Sequence, residues 1–142
     1  MTLKVLHVEG AGSLESERVV LQATANIGIG KYLVLKTRKS PDGKVFSGSI
    51  LAAYWFETIA VQQGDFVILY SKTGQRSQKP IVEDGTISYF FYWGLSEAIW
   101  ASEFKPTAIT AATWEWTQGR AVQRYETASI LSSFLMPARP AR

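Results

Sequence analysis

The sequence of 142 residues contains no cysteine and one histidine, and both shortages limit the chemistry it can carry. Without cysteine there is no disulfide, no thiolate nucleophile and no zinc–thiolate site. With His7 as the single imidazole, most transition-metal sites are excluded, because they need several nitrogen or sulfur ligands. His7 lies between Leu6 and Val8 in a strand-like segment, which favours a structural role. We therefore predict no metal and no cofactor.

Recognisable catalytic motifs are also missing. The sequence has no Gly-x-Ser-x-Gly nucleophile elbow, and the segment GIGK (28–31) lacks the Ser/Thr ending and the following helix of a phosphate-binding loop. The carboxylates that stand among aromatic residues are Glu57, after YWF, and Glu115, between two tryptophans. Alternation along a strand points Glu115 away from those tryptophans, so a catalytic carboxylate pair is not favoured. We predict no catalytic residue.

Long apolar runs are absent too. No window approaches the roughly 18–20 apolar residues that a helix needs to span a bilayer. The first ten residues, MTLKVLHVEG, lack the basic and then apolar segments of a signal peptide. The net charge of +3 is a mild excess and does not by itself demand an anionic partner. We expect a soluble cytoplasmic protein without membrane contact.

Aromatic residues and short strand-like segments are abundant. The sequence is 46% hydrophobic and 13% aromatic, which is enough apolar material for a core. Turn residues separate short β-rich segments at spacings of about eight to twelve residues, and the long periodic segments of helices are missing. The sequence therefore predicts an all-β fold, a single-domain antiparallel β-sandwich of immunoglobulin-like or jelly-roll-like type, with at most one or two short helical turns. The predicted strands fall within 2–10, 17–25, 31–38, 44–61, 66–72, 88–93 and 107–116.

The predicted domain covers residues 1–136, and residues 137–142 (PARPAR) form a flexible Pro/Arg tail. One helical turn is predicted at 95–101, where Ser96 could cap it. The segment 123–136 has apolar residues at mixed spacing, which is compatible with a last strand or with a short helix packed on the domain.

Three predicted strands are apolar on both faces, which a simple sandwich does not require. In YFFYW (89–93), Tyr89, Phe91 and Trp93 would face one side of the sheet. Phe90 and Tyr92 would then face the other, and either side could be the core. Leaving such a face in water forgoes roughly 1.5–3 kcal/mol per large side chain and invites aggregation. The C-terminal segment, a long loop or a second copy should cover it, and the richness in Tyr and Trp favours a homo-oligomer, preferably a dimer. The other two strands are YLVLK (32–36) and FVILY (66–70).

Positive charge is concentrated in residues 31–44, with five cations against Asp42, and in residues 72–79, with three cations and no acid. Basic loops beside aromatic residues are typical of single-stranded nucleic-acid binding, although basic loops also keep strand edges soluble. The predicted ligand-binding or partner-binding residues are six cations and three aromatics: Lys36, Arg38, Lys39, Lys72, Arg76, Lys79, Trp55, Tyr92 and Trp93.

Two stretches, ERVVLQATANIGIGKYLVLKTR (17–38) and QGDFVILYSKTGQ (63–75), combine a Glu-led strand with a Gly-Asp-x-Val-x-Leu-Tyr strand. In this pattern the chain resembles the bacterial lamin-tail domain, a small immunoglobulin-like sandwich. It departs from that family where Lys31-Tyr32 replaces a tryptophan after glycine and where Arg18 replaces an aromatic residue. The resemblance implies a non-catalytic attachment or scaffolding module and supplies no catalytic residue. The matching positions are Glu17, Leu21, Gly30, Tyr32, Leu33, Gly64, Asp65, Val67, Leu69, Tyr70 and Gly74.

Together these features predict a non-catalytic binding or assembly module that acts through an aromatic sheet face and basic hairpin loops, on a protein partner or a second copy of the chain. The alternative is a small protein that binds an anionic ligand, either single-stranded nucleic acid or a nucleotide, through the basic loops 31–44 and 72–79. Convergence of those loops beside an aromatic cleft would favour the alternative.

Overall fold

The computed structural model describes residues 2–38, 50–100, 104–111 and 117–119. Its first compact unit is Met1–Ala112, and its second is Thr113–Arg142, of which three residues are described. The predictions for 123–136 and for the tail 137–142 lie outside the described residues, as does Lys39.

The first unit is built from strands, which confirms the all-β class. Its helical content, within the residues described, is one 3₁₀ turn at Ile29–Lys31. The strands are β1 (Leu3–Glu9), β2 (Arg18–Ala23), β3 (Ile27–Gly28), β4 (Tyr32–Arg38), β5 (Ala52–Trp55), β6 (Ala60–Val61), β7 (Phe66–Tyr70), β8 (Ser77–Pro80), β9 (Ile87–Tyr92) and β10 (Phe104–Thr110).

These strands form a five-stranded sheet in the order β1-β2-β7-β9-β8, a three-stranded sheet β10-β4-β5 and a two-stranded sheet β3-β6. The expectation of wholly antiparallel sheets was wrong at one pair, because β7 and β9 run parallel. The reason is the position of β8 in the sheet. β8 pairs antiparallel with β9 on its far side, so the chain reverses twice between β7 and β9 and regains its original direction.

Alternation along the central strands places one face of the five-stranded sheet in the core. Val67 and Leu69 of β7 and Phe91 of β9 are almost wholly buried there. The three-stranded sheet contributes Val34 to the same core, and the ring of Phe56, just after β5, meets the ring of Phe91 edge-on at 5.2 Å. Both sheets therefore share one hydrophobic core.

The segment YFFYW divides between the two sides of this sheet. Tyr89 and Phe91 point into the core and are 7% and 0% exposed, whereas Phe90 and Tyr92 are half-buried on the opposite face. Trp93 is half-buried and packs against the core from just beyond the strand end. Tyr89 and Phe91 therefore fill the core, and Phe90 and Tyr92 lie on the outer side of the sheet.

The helical turn predicted at 95–101 is not formed over the described residues 95–100. Their amides have more distant partners. The N–H of Leu95 donates to the carbonyl of Ser71, and the N–H groups of Ile99 and Trp100 donate to the carboxylate of Glu17. Because these donors are occupied, they cannot make the local hydrogen bonds of a helix.

Candidate binding surface on the five-stranded sheet

The face of the five-stranded sheet that points away from the core carries apolar side chains on three adjacent strands. Strand register aligns Val20 with Ile68 and Ile68 with Phe90, so that one apolar row crosses β2, β7 and β9. All members of this surface are half-buried. We call it the outer aromatic face, and it consists of Val20, Phe66, Ile68, Tyr70, Phe90 and Tyr92.

A stacked tyrosine pair forms one end of the outer aromatic face. The rings of Tyr70 and Tyr92 have centroids 5.2 Å apart and planes only 10° from parallel. Gly74 also lies against Tyr92, since a β-carbon at that position would come within 2.3 Å of the Tyr92 ring. Tyr92 therefore packs against both Tyr70 and Gly74, and these two contacts restrict the movement of its ring.

Two cations lie over the ring of Tyr70. The Arg18 guanidinium carbon is 5.8 Å from the ring centroid and the Lys72 ammonium is 5.3 Å from it, both within cation–π range. Lys72 also lies 3.6 Å from the Glu15 carboxylate, and Arg18 donates a 2.8 Å hydrogen bond to the carbonyl of Ser16. The rim of the face thus carries charges of both signs.

The residues predicted as binding groups are distributed over several elements, and two of them meet on this surface. Tyr92 belongs to the outer aromatic face and Lys72 lies beside it, both around Tyr70. Trp93, by contrast, packs toward the core side, with ring centroids 5.6 Å from Tyr54 and 6.3 Å from Trp100.

The remaining predicted residues lie elsewhere. Lys36 and Arg38 are on β4 in the three-stranded sheet, and Lys79 is exposed on the edge strand β8. Arg76 is 3.3 Å from the Glu57 carboxylate, so this glutamate is an exposed ion-pair partner. Trp55, on β5, is 46% exposed and donates a 2.7 Å hydrogen bond to the carbonyl of Gly30.

Sequence reasoning missed the role of Glu17, whose carboxylate is fully buried. It accepts hydrogen bonds from the Ser71 hydroxyl at 2.5 Å and from the backbone N–H groups of Gly12 at 2.9 Å, Ile99 at 2.9 Å and Trp100 at 3.2 Å. Burial raises the pKa of Glu17, but these four hydrogen bonds outweigh it, the Ser71 bond most of all, and the net effect is a lowered pKa. The carboxylate thereby ties three loops to the sheet.

Asp65 belongs to the Gly-Asp-x-Val-x-Leu-Tyr motif, but no role was predicted for it. Its side chain is 4% exposed and accepts one backbone hydrogen bond on each oxygen, from Gln62 at 2.8 Å and from Ile87 at 2.9 Å. A usable signal was present for both carboxylates. Glu17 continues the inward alternation of Val19, and Asp65 that of Val67, so each acid occupies a position that points to the core.

His7 and the acidic residues do not form a metal centre in the described part of the chain. His7 Nε2 lies 3.5 Å from Glu9, and both side chains are about half exposed. Within residues 2–38, 50–100, 104–111 and 117–119, no group of three or more His, Cys, Asp or Glu is arranged to hold a metal ion. Over those same residues, no helix has the length and apolar character needed to cross a membrane.

Comparison of the whole sequence with protein-family models and with curated proteins finds no match. The resemblance to the lamin-tail domain stays a prediction that rests on the residues quoted for it.

Proposed function

We propose that this protein is a non-catalytic assembly module in which the outer aromatic face binds a second copy of the chain. The observation that carries the proposal is the alignment of six half-buried apolar side chains on three adjacent strands. Burying them against a partner would recover free energy that the isolated chain forgoes, at about 25 cal/mol per Å² of apolar surface.

The charges around the outer aromatic face favour a second copy of the chain over a partner whose surface charges all have one sign. Arg18 and Lys72 are positive, while Glu15 and Glu9 are negative, and Glu9 is paired in register with Arg18. In a two-fold symmetric dimer the same surface of both copies forms the interface. If all charges on the rim had one sign, the rims of the two copies would repel each other. A rim of mixed sign can instead place cations of one copy against acids of the other.

Preorganisation also favours an interface. Tyr92 stacks on Tyr70 and packs against Gly74, so less of its side-chain entropy remains to be lost on binding. Tyrosine is enriched in interfaces because it combines a large apolar area with a polar tip. An immunoglobulin-like sandwich with an attachment or scaffolding role, as the lamin-tail resemblance implies, is compatible with this use of an outer sheet face.

The alternative, an anionic ligand bound by the basic loops, has weaker support. In the loop 72–79, Lys72 and Arg76 already face Glu15 and Glu57, which reduces the positive potential available to a phosphate backbone. Fluorescence anisotropy with a labelled single strand at low salt should therefore show no saturable binding. Saturable binding that is lost in Lys72→Glu would favour the alternative.

Sedimentation equilibrium tests the dimer directly. We expect a mass of twice the 15.8 kDa chain at micromolar concentration. Ile68→Lys places a charge in the centre of the apolar row and should raise the dimer dissociation constant by at least about 100-fold.

Val82→Lys is the matched control, because Val82 is an aliphatic residue that is 91% exposed outside the outer aromatic face. It should leave the dimer intact. A wild-type chain that sediments as a monomer, or an Ile68→Lys variant as dimeric as wild type, would refute the proposal.

A further inference from the structure

A cavity of about 480 Å³ lies where the two-stranded sheet meets the start of β9. Its lining includes Ile27 of β3, Val61 of β6, Asp65, and Ile87 and Tyr89 of β9. This volume falls in the usual range for small-molecule sites. The lining combines aliphatic side chains with polar groups of Asn26, Gln62, Asp65 and Tyr89.

Asp65 provides a buried negative charge in this cavity. Each of its oxygens accepts one backbone hydrogen bond, and each has a further lone pair. Among the described residues, no Lys, Arg or His forms an ion pair with it. A carboxylate that is 4% exposed and has no cationic partner in the described chain would gain from a bound cation.

Tyr89 provides an unused polar atom in the same cavity. The residue is 7% exposed, and its phenol makes no hydrogen bond to any residue in the part of the chain that is described. Burial and the nearby charge of Asp65 raise the pKa of Tyr89, so the phenol is neutral at physiological pH. A neutral phenol oxygen can accept a hydrogen bond from a charged donor.

The sign of the lining selects the class of ligand. The ten residues that line the cavity include one carboxylate and no Lys, Arg or His, so an anion would be repelled. An ammonium group brings a positive charge and three donors. These suit the carboxylate, the phenol oxygen and the side-chain amide oxygen of Gln62, since the amide oxygen of Asn26 already accepts a hydrogen bond from the Gln63 N–H.

We propose that this cavity binds a small primary ammonium compound, with the ammonium at Asp65 and Tyr89 and a short apolar tail against Ile27, Val61 and Ile87. The proposal is independent of the dimer. Tyr89 points to the core side of β9, whereas the outer aromatic face uses the opposite side of that strand.

Titration of ¹⁵N-labelled protein with n-butylammonium chloride, followed by NMR chemical shifts, tests the ligand class. We expect saturable shifts, with a dissociation constant in the millimolar range, at residues 26–28, 60–65 and 85–89. The neutral n-butanol should bind at least about tenfold more weakly, and sodium butyrate at equal ionic strength should not bind. Equal binding of the alcohol, or no saturable shifts with the amine, would overturn the proposal.

Two Tyr→Phe substitutions on β9 distinguish a binding role of the Tyr89 hydroxyl from a packing role. Tyr89→Phe removes a hydroxyl without a hydrogen-bond partner in the described chain, so the unfolding midpoint should stay unchanged while affinity for butylammonium falls about five- to tenfold. Tyr92→Phe, on the other face of β9, should leave that affinity unchanged. Unaltered affinity in Tyr89→Phe would overturn the proposal.

Discussion

The two faces of the five-stranded sheet are made from similar residues but have different surroundings. On β9, Phe91 is fully buried and Phe90, one residue earlier, is half-buried. The core face also contains charge at its margins, since Glu17 and Asp65 occupy inward positions, while the centre of the outer face is apolar. Residue type therefore does not decide what a face does. Alternation along each strand and the register between strands decide which side chains are buried. Hydrogen bonds to their carboxylates decide which acidic side chains can be buried.

The largest expected effect comes from truncating the core face. Phe91→Ala should lower the free energy of unfolding by about 3–5 kcal/mol, because it removes a fully buried ring and leaves a cavity. Phe90→Ala should cost about 1 kcal/mol, since that ring already contacts solvent.

Urea denaturation of both variants, made in the Ile68→Lys background so that dimer dissociation does not contribute, measures the difference. Equal losses of unfolding free energy in the two variants would show that both faces of the sheet are buried to the same extent.

The next effect concerns the buried acid of the core face. Glu17→Gln should lower the free energy of unfolding by about 3 kcal/mol, because an amide N–H₂ replaces one of the two acceptor oxygens that four donors share. Amide hydrogen exchange should accelerate at Ile99 and Trp100, which donate to this carboxylate. Unchanged exchange there would contradict a role for Glu17 in holding the loop.

The pH dependence of stability gives a second test of Glu17. Because its pKa is lowered in the folded protein, the stabilisation is complete above the unfolded value of about 4.3 and is lost as pH falls through the lower folded pKa. The wild type should therefore lose stability in acid more steeply than Glu17→Gln. Parallel stability–pH curves for the two proteins would disprove this linkage.

A smaller effect than that of Glu17 is expected beside the outer aromatic face. Gly74→Ala forces the Tyr92 ring to move and should cost about 1–2 kcal/mol, with a weakened near-ultraviolet circular dichroism signal from the stacked tyrosines. Gly28→Ala is the matched control, because a β-carbon there meets nothing within 4 Å and its φ of −94° suits any residue. Its stability should stay within about 0.5 kcal/mol of wild type. Indistinguishable variants would show that Tyr92 is not held by Gly74.

Much of the strand content could be predicted from local pattern. The segments FVILY and YFFYW became β7 and most of β9, and Val19 and Leu21 share the core face as alternation requires. Alternation failed in β1, where the register shifts between Val5 and His7. A bulge of this kind changes which face later residues take, and local sequence does not mark it.

The candidate sites were less predictable, because they depend on contacts between distant residues. Tyr92 and Lys72 were named in advance. Lys72 is two residues from Tyr70 along the chain, but Tyr92 reaches Tyr70 only through the parallel pairing of β7 and β9. Three of the four partners of Glu17 are remote, since Ser71 lies 54 residues away along the chain and Ile99 and Trp100 lie more than 80 residues away. No local pattern contains such separations. Alternation marks Glu17 as an inward position, but its remote hydrogen-bond donors and the missing helical turn at 95–100 could not be anticipated.

The sequence by itself determined the all-β class, the approximate positions of the long strands and the presence of two apolar faces, because each depends on turn residues and a two-residue period. Tertiary structure alone decided which face became the core, that β9 lies between β7 and β8, and that two acids are buried. Those outcomes depend on strand order and on hydrogen-bond donors that come from remote segments. A polar side chain is buried only where the folded chain replaces the hydrogen bonds that it made to water.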